Sequence, residues 1–135
     1  MPKDLNRKIG EMNYDGLISD TNPAVRVGGG TIRALAAEAV LTRGTIMAKS
    51  SGSAGDGMLV PLGITAKADE TLTPNAILCD DLEVGTSESI NVPVYLAGCF
   101  DPGKCAVNTG YTVTEDDKDK LRERGIVFKA VDPSL

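Results

Sequence analysis

The residues of this sequence that could do chemistry are three cysteines, one acidic run and one glycine triplet. Cys79, Cys99 and Cys105 make an odd number of thiols. Cys99 and Cys105 are separated by five residues, which is not the Cys-x-x-Cys spacing of zinc and redox motifs. Free thiols are the expected state. Asp80, Asp81 and Glu83 could be imagined as a hard-metal site or a catalytic carboxylate pair. Asp80 and Asp81 are adjacent, however, and adjacent residues on a strand face opposite ways. A calcium site needs six or more oxygens on a spaced loop, and no such loop exists here. An acidic strand end is the simpler reading. Gly28, Gly29 and Gly30 invite a phosphate-cradle reading, but no Gly-Lys-Ser/Thr follows and no Gly-x-Gly-x-x-Gly opens a helix. The chain contains no histidine, which removes the commonest general base and the commonest zinc ligand. No nucleophile–base pair can be drawn. The sequence reads as a non-enzyme with no catalytic, cofactor or metal site.

Composition narrows the classes further. At 135 residues the chain fits one domain able to bury about two-thirds of its unfolded surface. With two Phe, three Tyr and no Trp, its core must be aliphatic. Fourteen bases against nineteen acids give a net charge of −5. That balance argues against nucleic acid as the main partner, because phosphate neutralisation needs a basic patch. No apolar run approaches the ~20 residues of a membrane helix. The start, Met-Pro-Lys-Asp-Leu-Asn-Arg-Lys, lacks the apolar stretch of a secretory signal.

The elements that must position these residues are mostly strands. Ile90 to Asp101 is the clearest: Ile90, Val92, Val94, Leu96 and Phe100 share one side, with Asn91, Tyr95 and Cys99 on the other. Pro93 cannot donate to a ladder, so the strand begins at an edge or shortly after Pro93. Ala76 to Cys79 precedes it and is expected to pair with it antiparallel. Ala24–Val27 and Thr31–Ala34 read as strands joined by a flexible Gly28–Gly30 loop. Residues 34–40 are good helix material by propensity, but with the Gly44 turn and β-branched residues that follow, 34–49 reads better as strand, turn and strand; 50–57 is a loop; 58–64 is a further strand; 67–74 is a polar connection. Strands recurring roughly every 10 to 15 residues with Gly-rich turns predict an all-β sandwich or barrel-like fold.

One helix stands out, Thr114 to Arg124. Thr114 is a natural N-cap, Glu115, Asp116 and Asp117 fill the first turn, and Arg122 and Arg124 the last. Gly125 is placed to end it with a left-handed cap. Leu121 is its only large apolar residue, so it should lie on the surface with one anchor. Ile126 to Phe128 reads as a last strand.

Residues 1–23 look unlike the rest, with sparse apolar residues that follow no period. Two readings are open: a terminus with no role, or an arm that orders on a partner through Ile9, Tyr14, Leu17 and Ile18. The domain proper would then be 24–135.

Four segments carry a resemblance: Leu41-Thr-Arg-Gly-Thr-Ile-Met-Ala48, Ala76-Ile-Leu-Cys-Asp-Asp-Leu82, Val94-Tyr-Leu-Ala-Gly-Cys-Phe100 and Leu121-Arg-Glu-Arg-Gly-Ile126. In their order and approximate spacing across residues 41–128 they resemble the head decoration family of tailed bacteriophages, the lambda head protein D type. Tyr14-Asp-Gly-Leu-Ile18 is similar to that family's N-terminal segment. The chain is longer than the type member, and its Gly-Gly-Gly and Ser-Ser-Gly-Ser loops are its own.

The resemblance implies a small β-tulip domain with one short C-terminal helix and a flexible N-terminal arm at residues 1–23. It implies a homotrimer at three-fold positions outside an expanded capsid, cementing the shell against the pressure of packaged DNA. The arm, with Ile9, Tyr14, Leu17 and Ile18, would bind the major capsid protein. The protein would be found on the outer surface of the virion, and in host cytoplasm during assembly. No cofactor, nucleic acid or membrane enters that picture. A non-viral β scaffold or adaptor fits the composition equally well. A small-molecule-binding β module would need convergent polar groups, which no cluster in the sequence supplies.

Overall fold

The computed structural model describes residues 16–130. In chain order the described strands are β1 (Ile18–Asp20), β2 (Arg26–Ile32), β3 (Ala39–Leu41), β4 (Ile46–Ser51), β5 (Leu59–Pro61), β6 (Thr71–Leu78), β7 (Leu82–Val84) and β8 (Ile90–Phe100). A short 3-10 turn (Pro102–Lys104), helix α1 (Glu115–Arg124) and strand β9 (Ile126–Phe128) complete the list. Strand accounts for 43% of the described residues and helix for 11%. The fold is therefore mainly β with a single C-terminal helix, as the pattern of short strands predicts. Among the described residues, no helix is long and apolar enough to cross a membrane.

Five strands close into a barrel in the order β8-β2-β5-β4-β6, with β6 returning to β8. The β6–β8 pairing is the antiparallel one expected, with Ile77 opposite Tyr95 and Leu78 opposite Val94. Strands β1 and β9 flank the far end of β8, antiparallel and parallel to it. Strands β3 and β7 form a separate two-stranded ribbon. Pro93 lies where β8 has β2 on one side and β6 has already ended at Val94. Its missing N–H thus interrupts no ladder on that side.

Two sequence expectations are corrected. Gly28–Gly30 is not a loop, because β2 runs unbroken through it, paired residue by residue with Val94, Pro93 and Val92. A Cβ on Gly28 would come within 2.5 Å of Leu96 Cδ1, and one on Gly30 within 2.7 Å of Leu59 Cδ1. The missing side chains leave room for leucines of neighbouring strands. Likewise, Thr71–Pro74 is no mere connection. It is the first half of β6, opposite Ser51 to Ala48 of β4.

Alternation along the strands divides the core in two. Ile32, Met47, Leu59, Ala76, Leu78 and Val94 come from all five barrel strands and pack into one cluster. A cluster to which every stave contributes is the filling of the barrel. Leu41 and Val84 of the β3–β7 ribbon join it. Neighbouring residues face the other way. Ile46, Ala48, Val60, Ile77 and Tyr95 therefore form a second cluster against Phe100, Leu17, Leu121 and Ile126. Phe100 is fully buried there, its ring 5.3 Å from that of Tyr95.

Helix α1 forms as its sequence dictates. Thr114 Oγ1 accepts from Asp117 N at 3.1 Å, and Asp117 Oδ2 accepts from Thr114 N at 3.1 Å, a reciprocal capping box. Tyr111 donates its hydroxyl to the same carboxylate, which explains why Asp117 is buried. That bond raises the Tyr111 pKa. Leu121 is the buried apolar anchor. Gly125 sits at φ 102°, and its N–H bonds back to Arg122 and Leu121. Gly125→Ala should cost about 1 kcal/mol, because a Cβ strains the left-handed region and would lie 3.3 Å from Ala97 Cβ. The expected readout is a melting temperature about 4 °C lower; an unchanged one would contradict this account of the cap.

Candidate functional site

The resemblance implies capsid binding by residues 1–23, of which the described residues begin at Gly16. Ile9 and Tyr14 lie outside the described residues. Leu17 does not belong to a partner-seeking surface: it is 1% exposed and sits in the second core cluster. Its carbonyl accepts the Asp101 amide at 2.8 Å. Ile18 follows on β1, opposite Phe100, and keeps 37% of its surface exposed. Asp20 then pairs with Lys129 at 3.0 Å, which lowers the Asp20 pKa and raises that of Lys129. Leu17 is therefore part of the folded domain, although it precedes residue 24. An apolar residue such as Leu17 becomes core when it can reach a cavity between strands, and the local sequence carries no sign of that.

Strands β1 and β2 run in succession along one side of β8: Ile18 faces Phe100, Asp20 faces Cys99, and Arg26 to Ile32 continue past Ala97 to Ile90. This flank carries two of the exposed large apolar side chains, Ile18 and, at 59% exposure, Val27. The third, Val40, lies on the β3–β7 ribbon.

The remaining chemistry-bearing groups are absorbed into structure. Arg33, just past β2, bridges two loops. Its Nε donates to Asp56 Oδ2 at 2.8 Å, and its Nη2 reaches both Asp56 Oδ1 and Glu70 Oε2. Glu70 is buried and also accepts from the Ser50 hydroxyl and the Lys67 amide. The Ser50 bond, then the Lys67 and Arg33 bonds, hold the Glu70 pKa at about 2. The Arg33 guanidinium, helped by the Met58 amide, holds Asp56 at about 2. This network joins groups far apart in sequence, and no spacing pattern announces it.

Its pH consequence has a definite sign. Both carboxyls titrate lower when folded than their ordinary values of 3.8 and 4.5. Their stabilising contribution is therefore present above pH ~5 and is lost as pH falls from there towards 2. The melting temperature should be flat from neutrality to pH ~5 and then fall. Glu70→Gln should start lower at neutral pH and fall less steeply in acid; parallel curves for the two proteins would refute this role.

Arg43 donates to the Cys79 carbonyl at 2.9 Å and to the Tyr95 hydroxyl, and its guanidinium lies 5.4 Å from the Tyr95 ring centre. Asp81 accepts the Arg43 amide at 2.8 Å, so this acid serves a turn. All three cysteines are free. Burial pushes the Cys79 thiol up to about 11 and the Cys105 thiol up to about 12, far from the low values of reactive thiols. Among the described residues, no three His, Cys, Asp or Glu side chains converge as a metal site would require.

The described residues thus form a small closed β-barrel with Ile18 and Val27 exposed on its β1–β2 flank. No protein-family model matches this chain, and no curated protein matches it.

Proposed function

We propose that this chain is a capsid decoration protein, a cement that binds the outside of an expanded phage head as trimers at three-fold positions and resists internal DNA pressure. The observation that carries the reading is the ordered run of four motifs across residues 41–128 that resembles the head decoration family. A mainly β barrel closed by one capped C-terminal helix is compatible with the fold that the resemblance implies. In this reading the partners are the major capsid protein and two further copies of the chain. No catalysis and no cofactor take part.

Attachment runs through the N-terminal arm, with Ile9 and Tyr14 as contacts and Ile18 at its root; Leu17 is excluded by its burial. Each such side chain contributes roughly 1.5–3 kcal/mol when buried on a partner. Ordering each backbone residue costs about 1–2 kcal/mol, so a single arm binds weakly. Three arms on one trimer turn the later contacts into intramolecular ones and make attachment tight.

The test mixes the full chain with purified empty phage heads, unexpanded or expanded, and sediments them. The proposal expects the protein to pellet with expanded heads in multiples of three per three-fold position. Equal failure with both kinds of shell would defeat it.

A further inference from the structure

The barrel is closed between β2 and β5 at a single register pair, Ile32 opposite Leu59. The Arg33 amide donates to the Leu59 carbonyl at 2.9 Å across this seam. That bond fixes the direction of the main chain: at Arg33 the N–H points away from β8 towards β5. By the two-residue period of a strand, the main-chain groups of Gly29 and Val27 point the same way. Pro93, directly opposite Gly29, agrees, because a residue without an N–H suits a pair whose polar groups face outwards. Among the described residues, no strand pairs with that side of β2 from Arg26 to Gly30.

Natural sheets blunt such an edge with charge, proline or a cover. From Val27 to Gly30 this one has neither charge nor proline, and no described strand covers it. Gly28 and Gly30 are accounted for by the leucines that fill their space, but a Cβ on Gly29 would meet nothing within 4 Å. Packing does not demand glycine there; close approach of another backbone would use it. Beside the edge, where β2 splays from β4 and β5, lies a cleft of about 310 Å³. Leu59, Val94 and Leu96 line it together with Lys49 and the neutral Asn75 and Asn91. Lys49 is exposed, and among the described residues no carboxylate pairs with it.

We propose that the outer edge of β2 and this cleft form a strand-acceptor site for an extended peptide that carries an aliphatic side chain beside a carboxylate. The peptide backbone pairs with Val27 and Gly29, the aliphatic side chain enters the cleft over Leu59 and Val94, and the carboxylate meets Lys49. Main-chain bonds supply attachment, while the cleft and Lys49 supply selectivity. The charge of the occupant follows from Lys49 being the charged group among neutral amides.

The test titrates the isotope-labelled full chain with acetyl-Thr-Thr-Leu-Asp-Thr-Thr-amide, up to about 5 mM, followed by amide NMR. Resonances of Val27, Gly29 and Lys49 should shift, and exchange of the Gly29 amide should slow. The same peptide with alternate amides N-methylated should have no effect. Lys49→Glu, at an exposed position that leaves the fold intact, should weaken the acidic peptide about threefold and favour the version with Lys in place of Asp. Absence of shifts, shifts confined to the β3–β7 ribbon, or equal binding of the methylated peptide would overturn the proposal. A Gly29 amide already protected in the free protein would overturn it too, since the edge would be occupied.

Discussion

Leu17→Ala lowers the stability of the domain by about 3 kcal/mol, as expected for a fully buried leucine whose removal leaves a cavity. Leu17 is 1% exposed and packs in the cluster that also holds Phe100, Leu121 and Ile126. Its side chain comes close enough to Gly44 that a Cβ there would lie 3.1 Å from Leu17 Cδ1. The neighbours around the vacated space belong to strands held by their own ladders, which limits collapse. Urea unfolding measures the effect as a lower midpoint with little change in slope. Ile18→Ala, at a residue 37% exposed on β1, should cost less than half as much. Equal small losses at both positions would mean that Leu17 is not part of the core.

The parts legible in the sequence were those whose cause is local. Strand β8 shows its period because one face of its first half meets solvent: Asn91 and Pro93 are exposed, while Val92 and Val94 are not. Helix α1 shows its limits because caps are short-range chemistry, with Thr114 and Gly125 acting within a turn of themselves. What stayed hidden depends on partners far along the chain. The Gly28–Gly30 run looks like a loop until Leu59 and Leu96 are seen filling the space beside it. Thr71–Pro74 looks like a polar connection until β4 lies alongside. The Arg33–Asp56–Glu70 network has no spacing to read, since its members meet only because the barrel closes there. Leu17 carries no pattern that marks it as core, although it is buried.

The open flank of β2 is invisible for the same reason. Any five-strand reading assigns it a neighbour, and only the register shows that β5 meets it at Ile32 alone. Edge character is a property of the whole sheet order, not of the residues at the edge.

The second large effect concerns binding without stability. Every buried core residue of the described domain lies between Leu17 and Ile126. In the decoration proposal residues 1–15 serve the shell and not the domain, so deleting them should leave the melting temperature within about 2 °C of the full chain. The deletion removes Ile9 and Tyr14, the apolar residues assigned to capsid attachment. The measurement that bears most directly on the decoration proposal is co-sedimentation of full-length and 1–15-deleted protein with empty expanded heads, with both melting curves recorded beforehand. The account predicts that the full chain pellets with the shells and that the truncated chain, equally folded, stays in the supernatant. A truncated protein that decorates the shells as well as the full chain would contradict it.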